Sequence, residues 1–278
     1  MVRHRSILEY ARFRWFKAAV ALAVLAAGVY AWHEPAIKPH GGTWLGYTLG
    51  TIGAVLILWL LWYGVRKRRY RSNVGTVQGW LSAHVYLGTA LVVVVTLHTG
   101  FELGWNIHTL AYVLMLAVVG SGLYGVVAYM RIPGAMTDNL GEDTLAGLLL
   151  RVGDIDREMR GKALSLPDPL LRLVDASIAG TRLGGSFTRL ITGRDRDCPT
   201  AGAVATWHTE ARHLTGEASK IDKEVYGLML RKNQLLERAR RDLRHKALLD
   251  LWLYFHVPLA FMLLAALAAH VVSVFIYW

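Results

Sequence analysis

The chain has 278 residues, 54% of them hydrophobic, with a formal net charge of +11 and a mean hydropathy above zero, and a soluble domain of this size carries more polar surface. The Lys and Arg residues cluster beside long apolar stretches, which ties the charge to membrane orientation and sets nucleic acid aside. A single cysteine, Cys198, excludes an intrachain disulfide, a cysteine-rich zinc site, a four-cysteine iron–sulfur cluster and covalent c-type haem attachment, so a redox cofactor held by this chain alone needs other ligands.

Five segments reach the roughly 20 apolar residues that a helix needs to cross a bilayer core. Residues 1–130 hold four of them, at about 16–32, 44–65, 81–101 and 107–130, and 248–278 forms the fifth. The first is short and follows basic residues, a pattern shared with signal peptides; an uncleaved anchor is the expectation. The N-terminus carries Arg3, Arg5, Arg12, Arg14 and Lys17, and Arg66, Lys67, Arg68, Arg69 and Arg71 follow the second span. The loop between spans one and two has only Lys38, and the turn between spans three and four has no basic residue. The excess of basic residues puts the N-terminus, the 66–79 loop and residues 131–247 in the cytoplasm of a bacterial-type inner (plasma) membrane, with the C-terminus outside. Trp44, Trp80, Trp105, Trp252, Tyr277 and Trp278 fall near span ends, where an interfacial aromatic belt belongs.

Residues 131–247 are densely charged and read as a mostly helical insertion. Pro167, Pro169, the Gly184–Gly185 pair and Pro199 break it into pieces. From about Thr206 to His245 the absence of proline and the richness in Glu, Lys, Arg and Leu predict one long helix, extending toward the fifth span. No phosphate-binding loop or dinucleotide fingerprint occurs in the context it requires. A domain without a cofactor signature is expected to be a docking surface, its stretch from Arg231 to Arg244 suiting an acidic partner or the anionic inner membrane surface.

Ionisable residues inside a span are costly and mark function. Span three carries His84 and His98, and span five His256 and His270; both spacings are fourteen. Fourteen positions return to within roughly 40° of the starting face and advance about 21 Å along a helix. Spans three and five both run outward, so His84 faces His256 near the inner surface and His98 faces His270 near the outer one. Two sites follow, each with one histidine from two helices, which suits two b-type haems. Glycine permits close approach of a flat macrocycle: Gly46, Gly50 and Gly53 in the outer half of span two, Gly120, Gly122 and Gly125 in the inner half of span four, and Gly88 one turn after His84. The plain alternative is that such histidines and glycines serve helix packing. Zinc finds only two obvious ligands per site, and a proton relay finds only Glu102 and Asp250, both at span ends. His108 begins span four on the outer side, as a replacement outer ligand or as a contact for a propionate or quinone. His33 and His40 lie in the outer loop; His208, His213 and His245 read as solvated residues of the charged region.

The segments H84-VYLGTALVVVVTL-H98 and H256-VPLAFMLLAALAA-H270 resemble the dihaem membrane cytochromes b, both those of the respiratory bc complexes and the ferric reductase and NADPH oxidase group. Placement on spans three and five with a cytoplasmic N-terminus is closer to the ferric reductase group. The likeness covers about residues 44–130 and 248–278. Ferric reductases and oxidases continue into a flavin and nicotinamide domain after the last span, where these 278 residues stop, so a subunit served by donors and acceptors on other proteins or in the lipid is the expectation; the proline–glutamate quinol motif is missing, and 131–247 fits neither family. The resemblance implies an all-α membrane protein of five helices in a haem-binding bundle. Its implied role is electron transfer through two bis-histidine haems as a subunit of an oxidoreductase complex. The implied partners are a cytoplasmic flavin or iron–sulfur protein, an outer-surface cytochrome, a quinone and membrane lipid. The alternatives are an outer-face ferric or oxygen reductase component and a haem-free transporter or scaffold.

Overall fold

The computed structural model describes residues 7–33, 41–69, 75–141, 143–193, 195, 197–213 and 215–276. Arg3, Arg5, Lys38, His40, Arg71, Tyr277 and Trp278 lie outside the described residues. Among those described, all regular structure is helical, and five helices are long and apolar enough to cross a membrane. The chain is a multi-pass membrane protein. It divides into two compact units, one built from residues up to Val127 together with those from Trp252 on, the other Ala128–Leu251.

The first unit contains α1 (Arg14–Trp32), α2 (Trp44–Arg68) and α3 (Val77–His98), with the greater part of α4 (Ile107–Leu140) and the end of α9 (Glu217–Ile276). Threonine sets two of these starts: Thr43 and Thr76 each accept, through the side-chain oxygen, the backbone N–H three residues on, at 3.0 Å. Helix α3 ends at His98 rather than near 101, because Gly100 and Phe101 turn left-handed, with φ of 59° and 63°. Helix α3 packs against α1 and α2. Ala26, Leu45, Leu49 and Val94 fill one junction, and Ile57, Leu60, Leu91, Leu114, Met115, Leu263 and Ala266 form a larger core from α2, α3, α4 and α9. Outward-facing apolar residues such as Leu25 (66% exposed) and Phe261 (64%) have no protein neighbour to bury them, which is the condition of a lipid-facing side chain.

Arg66, counted among the orienting charges, is buried; its guanidinium donates to the carbonyls of Arg69 at 3.1 Å and Gly75 at 2.6 Å and so clips the connection between α2 and α3. Leu8 and Tyr10, ahead of α1, are also tied down. Tyr86 donates its hydroxyl to Leu8 O at 3.0 Å, and the Tyr10 ring fills the space that Gly79 leaves open on α3.

The second unit holds α5 (Leu145–Ala163), α6 (Asp168–Gly180), α7 (Phe187–Thr192), α8 (Pro199–Glu210) and the first part of α9. Pro169 and Pro199 sit in the first turns of their helices, where no N–H is needed. Gly184 and Gly185, at φ of 94° and 119°, carry the chain between α6 and α7. Trp207 is fully buried among Met159, Leu170, Val174, Val225 and Met229, and its indole N–H donates to Asp222 at 2.8 Å. The single helix expected from Thr206 to His245 is two. Helix α8 stops at Glu210 and α9 starts at Glu217, with Gly216 at φ 64° between them, while α9 itself runs without interruption into the fifth apolar segment. Cys198, before α8, is buried with its Sγ 3.0 Å from Arg240 Nη2. Burial pushes this thiol up, but the Arg240 hydrogen bond and charge and the N–H groups of Ala201 and Thr200 outweigh it and bring the thiol below its ordinary value.

Candidate functional site

Helices α3 and α9 bring each histidine pair together. The rings of His84 and His256 have centroids 6.4 Å apart with planes at 67°, and those of His98 and His270 are 6.0 Å apart at 86°. Leu91, Leu114, Met115, Leu263 and Ala266 belong to the core through which both helices run between their two histidines. The result is two polar layers separated by an apolar one.

Hydrogen bonds decide which nitrogen of each ring is free. A carbonyl oxygen only accepts, so His84 Nδ1–H donates to Leu60 O at 3.1 Å and His98 Nδ1–H donates to Gly46 O at 2.8 Å. His256 reaches the same state through a hydroxyl. Ser121 Oγ–H donates to Val118 O at 2.8 Å, which leaves its oxygen to accept from His256 Nδ1, also at 2.8 Å. A neutral imidazole protonated on Nδ1 carries its lone pair on Nε2. Three of the four rings are thereby left with an unprotonated Nε2, the tautomer that an oxygen hydrogen-bonded to Nδ1 imposes on an imidazole. His270 differs: its Nδ1 lies 2.5 Å from His108 Nδ1, the two rings perpendicular at 88° and 4.6 Å between centroids.

The glycines make room for side chains. A Cβ at Gly50 would stand 2.7 Å from His98 Cε1 and 2.9 Å from its Nδ1, closer than real Cβ contacts allow, so the His98 ring occupies the place of the missing side chain. Gly122 does the same more loosely for His256, at 3.4 Å from Cε1. Gly53 accommodates Val95 Cγ2 at 3.0 Å, and at Gly88 a Cβ would meet only Leu60 Cδ1 at 4.0 Å. At Gly50 and Gly53 the atoms nearest an added Cβ thus belong to His98 and Val95.

Three further residues, Ser121, Trp252 and Tyr63, contact the histidines and lie outside the spacing pattern. Ser121 stands between Gly120 and Gly122 and is 135 positions from the histidine it holds. Trp252, read as a belt residue, is one turn before His256; its ring lies 5.5 Å from that imidazole and its N–H donates to Ser121 O at 2.8 Å. Gly125 leaves the space that the Trp252 ring fills. Tyr63, one turn after Leu60, lies 5.1 Å from the His84 ring. A polar residue among glycines at the depth of a histidine, and aromatic residues one turn away, are the sequence signals that point to them.

His33, His208 and His213 stand apart from these pairs. His33 packs edge-on against Trp44 at 5.1 Å, His208 against Tyr226 at 4.5 Å, and His213 is exposed. No group of three or more His, Cys, Asp or Glu that could hold a metal ion occurs among the described residues. The Arg231–Arg244 stretch is partly engaged inside its own unit. Arg238 donates to the carbonyls of Asn139 and Leu140, Arg240 to Asp195 and Cys198, and Arg241 to the Asn139 side chain. No family model matches the chain, and neither a curated protein nor a solved structure matches it.

Proposed function

We propose that this chain is a transmembrane electron-transfer subunit that binds two b-type haems, one between His84 and His256 and one between His98 and His270. The observation that carries the reading is the hydrogen bonding of Nδ1: three buried or half-buried imidazoles, each tied through Nδ1 to an oxygen, present Nε2. The spacing supports it independently. A metal ion that took one nitrogen from each ring at about 2 Å, each nitrogen about 1.2 Å from its ring centre, would sit between centroids up to roughly 6.4 Å apart, and the two pairs stand at 6.4 and 6.0 Å. Two protein ligands per layer suit an ion that arrives with its own equatorial donors. They do not suit zinc, which takes three or four ligands from protein.

When bound, the two haems supply one-electron chemistry at two depths of the membrane. The chain's residues hold and separate the layers. Leu60, Gly46 and Ser121 fix the ring orientations, and Leu91, Leu114, Met115, Leu263 and Ala266 keep water out between them. Tyr63 and Trp252 pack beside the His84/His256 pair alone, so the two sites have unlike surroundings. In this reading the N-terminus faces the cytoplasm. The unit Ala128–Leu251 docks a flavin or iron–sulfur protein, and a quinone or an outer-surface cytochrome serves the other end.

The deciding experiment is the visible spectrum and extractable haem of the purified chain. Two acid-acetone-extractable haems per chain with low-spin spectra are expected; a colourless protein would refute the reading. A sharper check uses the glycines. Gly50→Ala drives a methyl group into His98 and should lower occupancy of the His98/His270 layer by at least half, whereas Gly88→Ala meets only Leu60 and should keep both haems. Equal haem content in the two variants would show that Gly50 does not govern the position of His98.

A further inference from the structure

Of the four proposed ligands, His270 is the one whose Nδ1 is not tied to an oxygen by the contacts described above; its side-chain partner is His108. We propose that His108 is a positioning residue for His270: its Nδ1 accepts the Nδ1 proton of His270 and so presents His270 Nε2 to the site shared with His98. This rests on the two-haem reading and adds to it the partner that completes the fourth ligand.

The distances favour this role over ligation by His108 itself. Two nitrogens bound to one ion at about 2 Å each stand roughly 3–4 Å apart, whereas the two Nδ1 atoms are 2.5 Å apart, within hydrogen-bonding contact of each other. The His98–His270 separation of 6.0 Å is the one that admits an ion between rings; the His108–His270 separation of 4.6 Å is not. His108 is also well placed to hold a direction. It is the second residue of α4, whose start is fixed by Asn106 Oδ1 accepting from Thr109 N at 3.0 Å and by Thr109 Oγ1 accepting from Gly104 N at 3.2 Å. A capped first turn anchors the backbone of a side chain that is otherwise exposed. With His108 as acceptor, all four rings have the same pattern, Nδ1 donating and Nε2 free. Three acceptors are built into helices and the fourth stands at the edge of the bundle.

The test uses the full chain with His108→Ala, His108→Asn, His98→Ala and His270→Ala, reading haem content, the low-spin electron paramagnetic resonance signals and the midpoint potential of each haem. Asparagine places an oxygen where His108 Nδ1 stands but does not ligate haem iron. His108→Ala is expected to raise the potential of the haem lost in His98→Ala and His270→Ala, because a ligand without an acceptor is less basic and favours the reduced ion less weakly. It should also change that haem's resonance signal and leave the other haem unmoved, and His108→Asn should bring both values back toward those of the unsubstituted chain. If His108→Ala empties the layer, restoration by His108→Asn still supports a hydrogen-bonding role. Failure of asparagine to restore it makes His108 a ligand or a packing residue and overturns the proposal. Unchanged potential and signal in His108→Ala, with both haems present, overturn the proposal alone. An unsubstituted chain without haem overturns the underlying reading and the proposal with it.

Discussion

Alanine at His84 or at His256 is expected to halve the haem content of the purified chain, from two per chain to one, with the surviving haem still held by His98 and His270. The expectation follows from the separation of the layers. Fourteen residues of helix advance about 21 Å, and the intervening side chains Leu91, Leu263 and Ala266 are buried in a shared apolar core that does not depend on either polar layer. Loss of one imidazole leaves its partner ring still oriented by its own acceptor, Ser121 for His256 and Leu60 for His84, but a haem at that layer would then have one protein ligand in place of two and is expected to be lost on purification. The converse substitutions, His98→Ala and His270→Ala, should spare the His84/His256 haem. Extracted haem per chain and a redox titration, which should lose one of two steps, report the outcome. Retention of both haems by any of the four variants would remove that residue from the ligand set, and loss of both from one substitution would show that the layers are not independent.

The second large effect lies in the other unit. Lys232 is 1% exposed, and its ammonium group is 2.6 Å from Asp156, 2.9 Å from Ser177 O and 3.1 Å from Ser177 Oγ. Ser177 is in the last turn of α6, where carbonyls lack partners in their own helix and attract positive charge. Its hydroxyl continues to Thr200 at 2.8 Å and from there to Thr181 at 2.7 Å, so one lysine on α9 gathers α5, α6 and α8. Lys232→Met fills the volume but strands the Asp156 carboxylate and the Ser177 carbonyl. Removing one partner of a buried pair costs about 3 kcal/mol, near the low end of the usual range because Asp156 is partly solvated, and lowers the melting temperature by about 6–12 °C. Arg160→Ala, which breaks an exposed pair with Asp175, should cost less than about 1 kcal/mol. Thermal unfolding of both variants in detergent checks this. Equal melting temperatures for Lys232→Met and the unsubstituted chain would mean that Asp156 finds water or another cation.

The parts of this protein that depend on local composition were legible in its sequence. A helix crossing lipid must satisfy its own backbone and clothe it in apolar side chains, so runs of hydrophobic residues identify all five spans. Helical periodicity is fixed, so a spacing of fourteen announces that His84 and His98, and likewise His256 and His270, share a face. Boundaries were less legible, since they depend on single backbone angles. The left-handed Gly100 and Phe101 end α3 at His98, and Gly216 splits the helix expected from Thr206. What only the tertiary structure decided is which groups meet. The tautomer of His256 is set by a serine 135 positions away, that of His98 by the carbonyl of Gly46, and the environment of His270 by His108, 162 positions away. Which atoms a glycine admits is likewise a tertiary matter: at Gly50 they are those of the His98 ring. A hydrogen bond or a close approach between helices leaves no periodic trace in either strand of sequence, because its energy depends on relative rotation and height of the two helices, and those are fixed only when the cores around Leu91 and Val94 pack.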